Sequence, residues 1–210
     1  GSMPVQEDEP VVIRSKVYEE MMSAQPVTVE ERKYDVQCSD EGYVYFYHNV
    51  PFSNFWKCGS QLQFDGHSFN CSEAVFMYQK ALLFNDKEYA LKIVETDNST
   101  SFKSQDDRCK AVKKLGRKVR GFVQEEWDSK CYGLMYNAVE CKAKYDMEFK
   151  RVLLSPEYAE KTFVEATRLD KIWGIGISIK KAMEVGRAGW KGQNLLGRAL
   201  TELRDKLRPD

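Results

Sequence analysis

Glu73 and Lys80 are the only residues charged at neutral pH in the run from Ser72 to Phe84, SEAVFMYQKALLF. No Gly or Pro interrupts this run, Ser72 is a good N-cap, and its apolar residues cover every face, so it reads as one helix packed inside a core. Seven residues apart, at about 100° each, Glu73 and Lys80 project from one helix face roughly 10.5 Å apart, too far for a one-turn ion pair. A buried charge without a partner is expensive, so both side chains are expected to face a cavity in which a ligand or other charged groups meet them. A plainer reading is also open: the helix dipole favours a carboxylate in the first turn, and Lys80 can snorkel to water on its four-carbon stem.

Three further stretches have compositions suited to holding a ligand. Phe52-Ser53-Asn54-Phe55-Trp56 puts aromatic faces beside small polar groups, a set suited to stacking on a flat ring and bonding its edge, or equally to forming a hydrophobic plug. Trp173-Gly174-Ile175-Gly176 sets an aromatic face beside two glycines, where backbone N–H groups can approach a ligand closely. Gly186 to Asn194 is a glycine-rich basic stretch running into the last helical pattern. Its end, Gly192-Gln193-Asn194, is expected to be an anion site or a solvated loop. The spacings of a nucleotide P-loop, a Rossmann turn, GxSxG, HExxH and a kinase are all missing, and His48 and His67 are the only histidines. Six cysteines without CxxC pairing indicate neither a zinc site nor a disulfide framework, and no cofactor or metal is expected.

The elements that must carry these residues are short strands followed by longer helices. Arg32–Cys38 and Tyr43–His48 flank a turn at 39–42, and Leu62–Phe64 and His67–Phe69 flank Asp65-Gly66, a strong hairpin signal. Helical patterns follow at Asp86–Glu95, Gln105–Leu115 closed by Gly116, Glu125–Lys144, Asp146–Leu154 and Gly192–Leu207, with a strand at Thr162–Ala166. The order predicts an α+β fold, mainly helical, with a small antiparallel sheet on one side. Residues 1–3 read as an expression remnant and 4–31 as an extension with a short helix near Val17–Met22, leaving 32–210 as one domain. With 32 basic and 32 acidic residues the chain has no global field to draw it to nucleic acid or a membrane, although a local basic pocket is allowed. Without an apolar run of spanning length or a signal peptide, a cytoplasmic or nuclear protein in a reducing compartment is expected.

In chain order, Phe52–Trp56, Ser72-Glu73-Ala74 through Gln79-Lys80-Ala81, Leu115–Val119 with Trp127, Asp170 with Ile172–Gly176, and Asn194–Gly197 resemble the motifs of the NADAR, or YbiA-like, family. The resemblance runs from about Tyr43 to Arg208 and implies cleavage of an N-glycosidic bond. Family members of this kind act on ribosylamino-pyrimidine intermediates of riboflavin synthesis or remove ADP-ribose from guanine bases of nucleic acid. A reader of ADP-ribose that does not cleave it is the competing class. The resemblance implies that Glu73 is the carboxylate that stabilises oxocarbenium character at C1′ and orients water, or that Lys80 is a nucleophile forming a Schiff base with the opened sugar. Phe55, Trp127 or Trp173 would flank the leaving base, Asn54 or Asp170 would read its edge, and Arg117 or the 192–194 stretch would hold phosphate. The expected partner is therefore an ADP-ribosylated nucleic-acid base or a ribosylated small molecule. Where many members read Lys-Phe-x-Gln, this chain reads Lys144-Tyr145-Asp146-Met147.

Overall fold

The apolar run after Cys71 folds as helix α1 (Ser72–Leu83), and only Lys80, Leu82 and Leu83 in it escape full burial. Ser72 is not its cap. Cys71 occupies that position with an extended backbone and no capping side-chain bond, while the Ser72 hydroxyl donates to Asn54 Oδ1 at 2.8 Å. The Glu73 amide donates to the Asn54 carbonyl at 3.1 Å, so an incoming loop meets the helix start in place of a side-chain cap. These features belong to a computed structural model that describes residues 34–209, in which the chain from Asp35 forms one unit. Arg32, Lys33 and the helix expected near Val17–Met22 lie outside the described residues.

Three helices surround α1: α2 (Lys87–Asp97), α3 (Gln105–Arg117) and α4 (Gln124–Tyr145). Asp86 caps α2 by accepting from the Tyr89 amide, and Ser104 caps α3 by accepting from that of Asp107. Helix α3 does not stop at Gly116 as its composition predicts. A Cβ there would lie 2.0 Å from Met77 Sδ, so this glycine lets α3 approach α1 closely and does not terminate it. Beyond α4 come α5 (Met147–Leu153), α6 (Ile179–Val185) and α7 (Leu195–Leu207). The basic stretch before α7 is more ordered than its composition predicts. It follows α6 directly and opens on a 3-10 turn at Arg187–Gly189, and Trp190 fixes it by donating its indole N–H to Tyr45 Oη at 3.2 Å.

The strands are β1 (Gln37–Cys38), β2 (Tyr43–Phe46), β3 (Leu62–Phe64), β4 (His67–Phe69) and β5 (Thr162–Glu165). Asp65 and Gly66 both take positive φ in the β3–β4 turn, as the hairpin signal predicts. β1 pairs antiparallel with β2, whereas β5 joins the other edge of β2 in parallel, with Phe46 opposite Glu165. The chain leaving β2 and the chain leaving β5 therefore emerge side by side. Helix α7 packs on β5 and α4, completing an α+β architecture dominated by helix. Among the described residues no helix is long and apolar enough to cross a membrane.

Candidate active site

The carboxyl ends of β2 and β5, the inner faces of α1 and α3, and part of α4 enclose a cavity of about 700 Å³. Helix α1 supplies Glu73, Met77 and Lys80, one stripe at i, i+4 and i+7. From α3 come Asp106, Lys110, Lys113 and Arg117, whose 4-3-4 spacing puts them on one helix face. Tyr47 and His48 enter just after β2. Glu165 ends β5, followed by Thr167, Leu169, Asp170 and Trp173, while α4 adds Trp127 and Met135.

Glu73 is 6% exposed, and its carboxylate makes no hydrogen bond or ion pair with the described chain. Burial lifts it above the usual carboxylate range and Asp170 adds to the lift, while Lys113, Lys80 and Arg117 pull it back. Burial lowers Lys80 below an ordinary lysine, an effect that Glu73 opposes and Arg117 reinforces. Its ammonium lies 5.0 Å from the Phe122 ring and 5.1 Å from that of Trp127, in cation–π range of both. Glu165 makes no side-chain hydrogen bond either, and burial, then Asp170 and Glu73, push its carboxyl up to about 8 against the pull of Lys113.

Two tryptophans flank these charged groups, wedged by one buried ring. Phe76 lies 5.3 Å from Trp127 and 5.0 Å from Trp173 between ring centroids. Asp170 Oδ1 accepts from the Ile172 and Trp173 amides at 2.9 and 2.8 Å, which holds the turn that presents Trp173. On the far wall, the fully buried Lys142 ammonium donates to the Ser53 carbonyl at 2.9 Å and lies 4.4 Å from the Phe149 ring, tying down the loop that carries Ser53, Asn54 and Phe55. Asn54 spends its Oδ1 on Ser72, and its amide nitrogen contacts Met135 Sδ at 3.4 Å. Asp106 joins His48 Nε2 and Lys110 Nζ, each at 2.9 Å, so Lys113 and Arg117 remain as exposed cations of the α3 stripe without an ion pair.

The expected residues Ser53, Asn54, Phe55, Glu73, Lys80, Arg117, Trp127, Asp170 and Trp173 thus share one cavity. Five others sit elsewhere. Phe52 is a core ring, 4.8 Å from Phe163 and 5.4 Å from Phe46, because the loop buries the first aromatic it meets. Gly174 faces Thr167 and the Glu165 carbonyl, and Gly176 takes φ +75° against Lys171 and Lys191, so these glycines serve close packing of the chain on itself. Gly192 is pressed against Lys171 and Gly174 in the same way. The amides of Gln193, Asn194, Leu195 and Leu196 all donate to carbonyls of residues 171–174, so these four N–H groups leading into α7 are spent on the chain itself. Asn194 is a clamp: its Oδ1 accepts from the Glu165 amide and its Nδ2 donates to the Phe163 carbonyl. Tyr145 and Met147 form the α4–α5 junction, outside the cavity lining.

Sequence reasoning missed Glu165, Lys110 and Lys113. The 4-3-4 spacing on α3 carried the signal for the lysines, whereas Glu165 ends a four-residue strand where a polar residue reads as a solvent face. The NADAR domain model matches residues 45–208. The chain belongs to the NADAR domain family. Among its relatives, "N-glycosidase R617" of Acanthamoeba polyphaga mimivirus is 35% identical over 135 residues, 64% of this chain and 72% of that protein. "Protein irg-1" of Caenorhabditis elegans is 35% identical over 143 residues, 66% of this chain and 61% of its own length. The NMR structure of the E. coli protein YbiA superposes with a TM-score of 0.59 at 27% identity, covering 86% of this chain and 93% of that one. The NADAR match covers every residue that lines the cavity.

Proposed function

We propose that this NADAR domain is an N-glycosidase that hydrolyses a ribose–nitrogen bond, with ADP-ribose on a guanine base of nucleic acid as its substrate. The observation that carries this reading is the unpaired Glu73 carboxylate beside a basic stripe and two tryptophans in one cavity. Two relatives point the same way by name: the mimivirus protein and the 28% identical protein of Shigella flexneri are both called N-glycosidases. Cleavage develops positive charge at C1′, which a fixed carboxylate stabilises while it takes a proton from the attacking water. Glu73 fills that role, its ionised form supported by Lys113, Lys80 and Arg117. Lys80, held below the usual lysine range, is the alternative nucleophile through a Schiff base with the opened sugar.

Trp127, Trp173 and Phe55 supply faces for the leaving base, and Lys110, Lys113 and Arg117 supply the phosphate end. That stripe extends seven residues, roughly 10.5 Å along the helix, which suits a diphosphate better than one phosphate group. A ribosylamino-pyrimidine phosphate is the second substrate reading, supported by the same base-and-phosphate arrangement. Incubation with ADP-ribosylated guanine DNA and with the ribosylamino-pyrimidine phosphate, followed by mass spectrometry, tests the choice. Release of ADP-ribose is expected, and turnover of the pyrimidine alone would overturn the nucleic-acid reading. Borohydride added during turnover distinguishes the nucleophiles. A reduced sugar adduct on Lys80 assigns the covalent route, and an unmodified enzyme with an active Lys80→Arg variant assigns direct attack by water.

A further inference from the structure

Hydrolysis of a ribose–nitrogen bond needs a second group besides the one acting at C1′, because an amine-type base leaves poorly until its nitrogen is protonated. That need holds whether water or Lys80 attacks. The cavity contains a second carboxyl with no partner in the described chain, Glu165. Its backbone is fixed on both sides: the amide donates to Asn194 Oδ1 at 3.0 Å, and the carbonyl accepts from the Ile175 amide at 3.0 Å. β5 therefore presents the Glu165 side chain from a rigid strand end to the same space that α1 presents Glu73.

We propose that Glu165 is the proton donor to the leaving nitrogen, working across the cavity from the Glu73 carboxylate. This inference rests on the N-glycosidase reading and goes beyond it by dividing the two acids between two roles. Charged neighbours make the division. Glu73 is met by three cations, Lys113, Lys80 and Arg117, against one anion, Asp170. Glu165 is met by two anions, Asp170 and Glu73, against one cation, Lys113. Environments that push two carboxyls apart in this way separate an acid from a base. Burial is the largest cause of the rise at Glu165, and with the two anions it pushes the carboxyl up to about 8.

In the step itself the C1′–N bond breaks with its electron pair going to nitrogen, which takes the proton of Glu165. The water oxygen bonds to C1′ and gives its proton to Glu73. Release of that proton to solvent and reprotonation of Glu165 from solvent return the enzyme to its starting state, so the sum is one water consumed per bond cleaved.

The test compares two ADP-ribosides, one joined through its terminal ribose to the exocyclic amine of guanine and one to p-nitrophenol, whose anion leaves without protonation. Glu165→Gln is expected to lose roughly 10²–10⁴-fold in kcat/KM on the guanine compound and less than about tenfold on the p-nitrophenyl compound. An alkaline limb near pH 8 in the wild-type profile for the guanine compound should disappear in the variant. Equal losses on both compounds would overturn the acid role while leaving the N-glycosidase reading intact. A wild-type enzyme that cleaves neither compound would overturn that reading and this inference with it. Carboxyl carbon NMR of the wild-type protein provides a readout free of turnover: a Glu165 midpoint near 8 supports the assignment, and one in the ordinary carboxylate range overturns it.

Discussion

Replacing Glu73 by Gln keeps the side chain's shape and removes its charge, which separates chemistry from folding at this position. Turnover is expected to fall by at least about 10²-fold, the scale of one lost electrostatic or general-base contribution, while the melting temperature holds or rises because a buried charge is gone. Turnover near that of wild type would exclude Glu73 from the reaction. Glu165 yields a stability prediction whose sign follows from its raised pKa. The folded protein holds a proton there that the unfolded chain has released above about pH 4.5, so this contribution is complete at low pH and is lost as pH rises through about 8. Melting curves between pH 5 and 8 should therefore fall more steeply for wild type than for Glu165→Gln, and parallel curves would contradict the assignment. The two residues differed in legibility for a physical reason. An unpaired charge inside a long uncharged helix announces itself, whereas Glu165 acquires its environment only when α1, α3 and the loop after β5 close around it.

At the scale of elements, the site depends on how β5 is held. Asn194 sits before α7 in a left-handed conformation, φ 53°, and its side chain bonds both the Glu165 amide and the Phe163 carbonyl. Asn194→Gly keeps the backbone conformation accessible and removes those bonds, for an expected loss of about 1–3 kcal/mol. Asn194→Ala removes the same bonds and adds left-handed strain, so it should cost roughly 1–2 kcal/mol more. Denaturant titrations measure both, and equal losses would remove the backbone part of the argument. Helix α1 and the Asp65-Gly66 hairpin were readable because their signals are local: an unbroken apolar run and a turn dipeptide. The parallel pairing of β2 with β5 joins segments more than a hundred residues apart and leaves no local trace. Glycines misled for a related reason. Gly116, Gly174 and Gly192 look like caps or ligand loops in sequence, and each is where one segment presses closely on another.

Over the whole molecule, a net charge of zero conceals a strong asymmetry. Residues 103–120 contain eight basic and two acidic side chains, so the remainder of the chain is acidic by six charges. Part of that excess is neutralised from outside the segment, since Arg120 pairs with Asp86 and Glu88. Lys113 and Arg117 line the cavity, while Lys114 and Lys118 are exposed beyond its lining on the adjoining arc of α3 and its C-terminal end. A nucleic-acid strand carrying its modified base into the cavity would lay neighbouring phosphates along this arc, whereas a free nucleotide would end at Lys113 and Arg117. The double variant Lys114→Glu, Lys118→Glu is therefore expected to weaken turnover of an ADP-ribosylated oligonucleotide and leave that of the ADP-ribosylated mononucleotide unchanged. Its binding to the single-stranded oligonucleotide should depend less on salt, the log–log slope shrinking by roughly 0.7 for each phosphate contact removed. Equal turnover of the oligonucleotide by wild type and variant, with unchanged salt slopes, would confine substrate contact to the cavity and favour a free ribosylated metabolite.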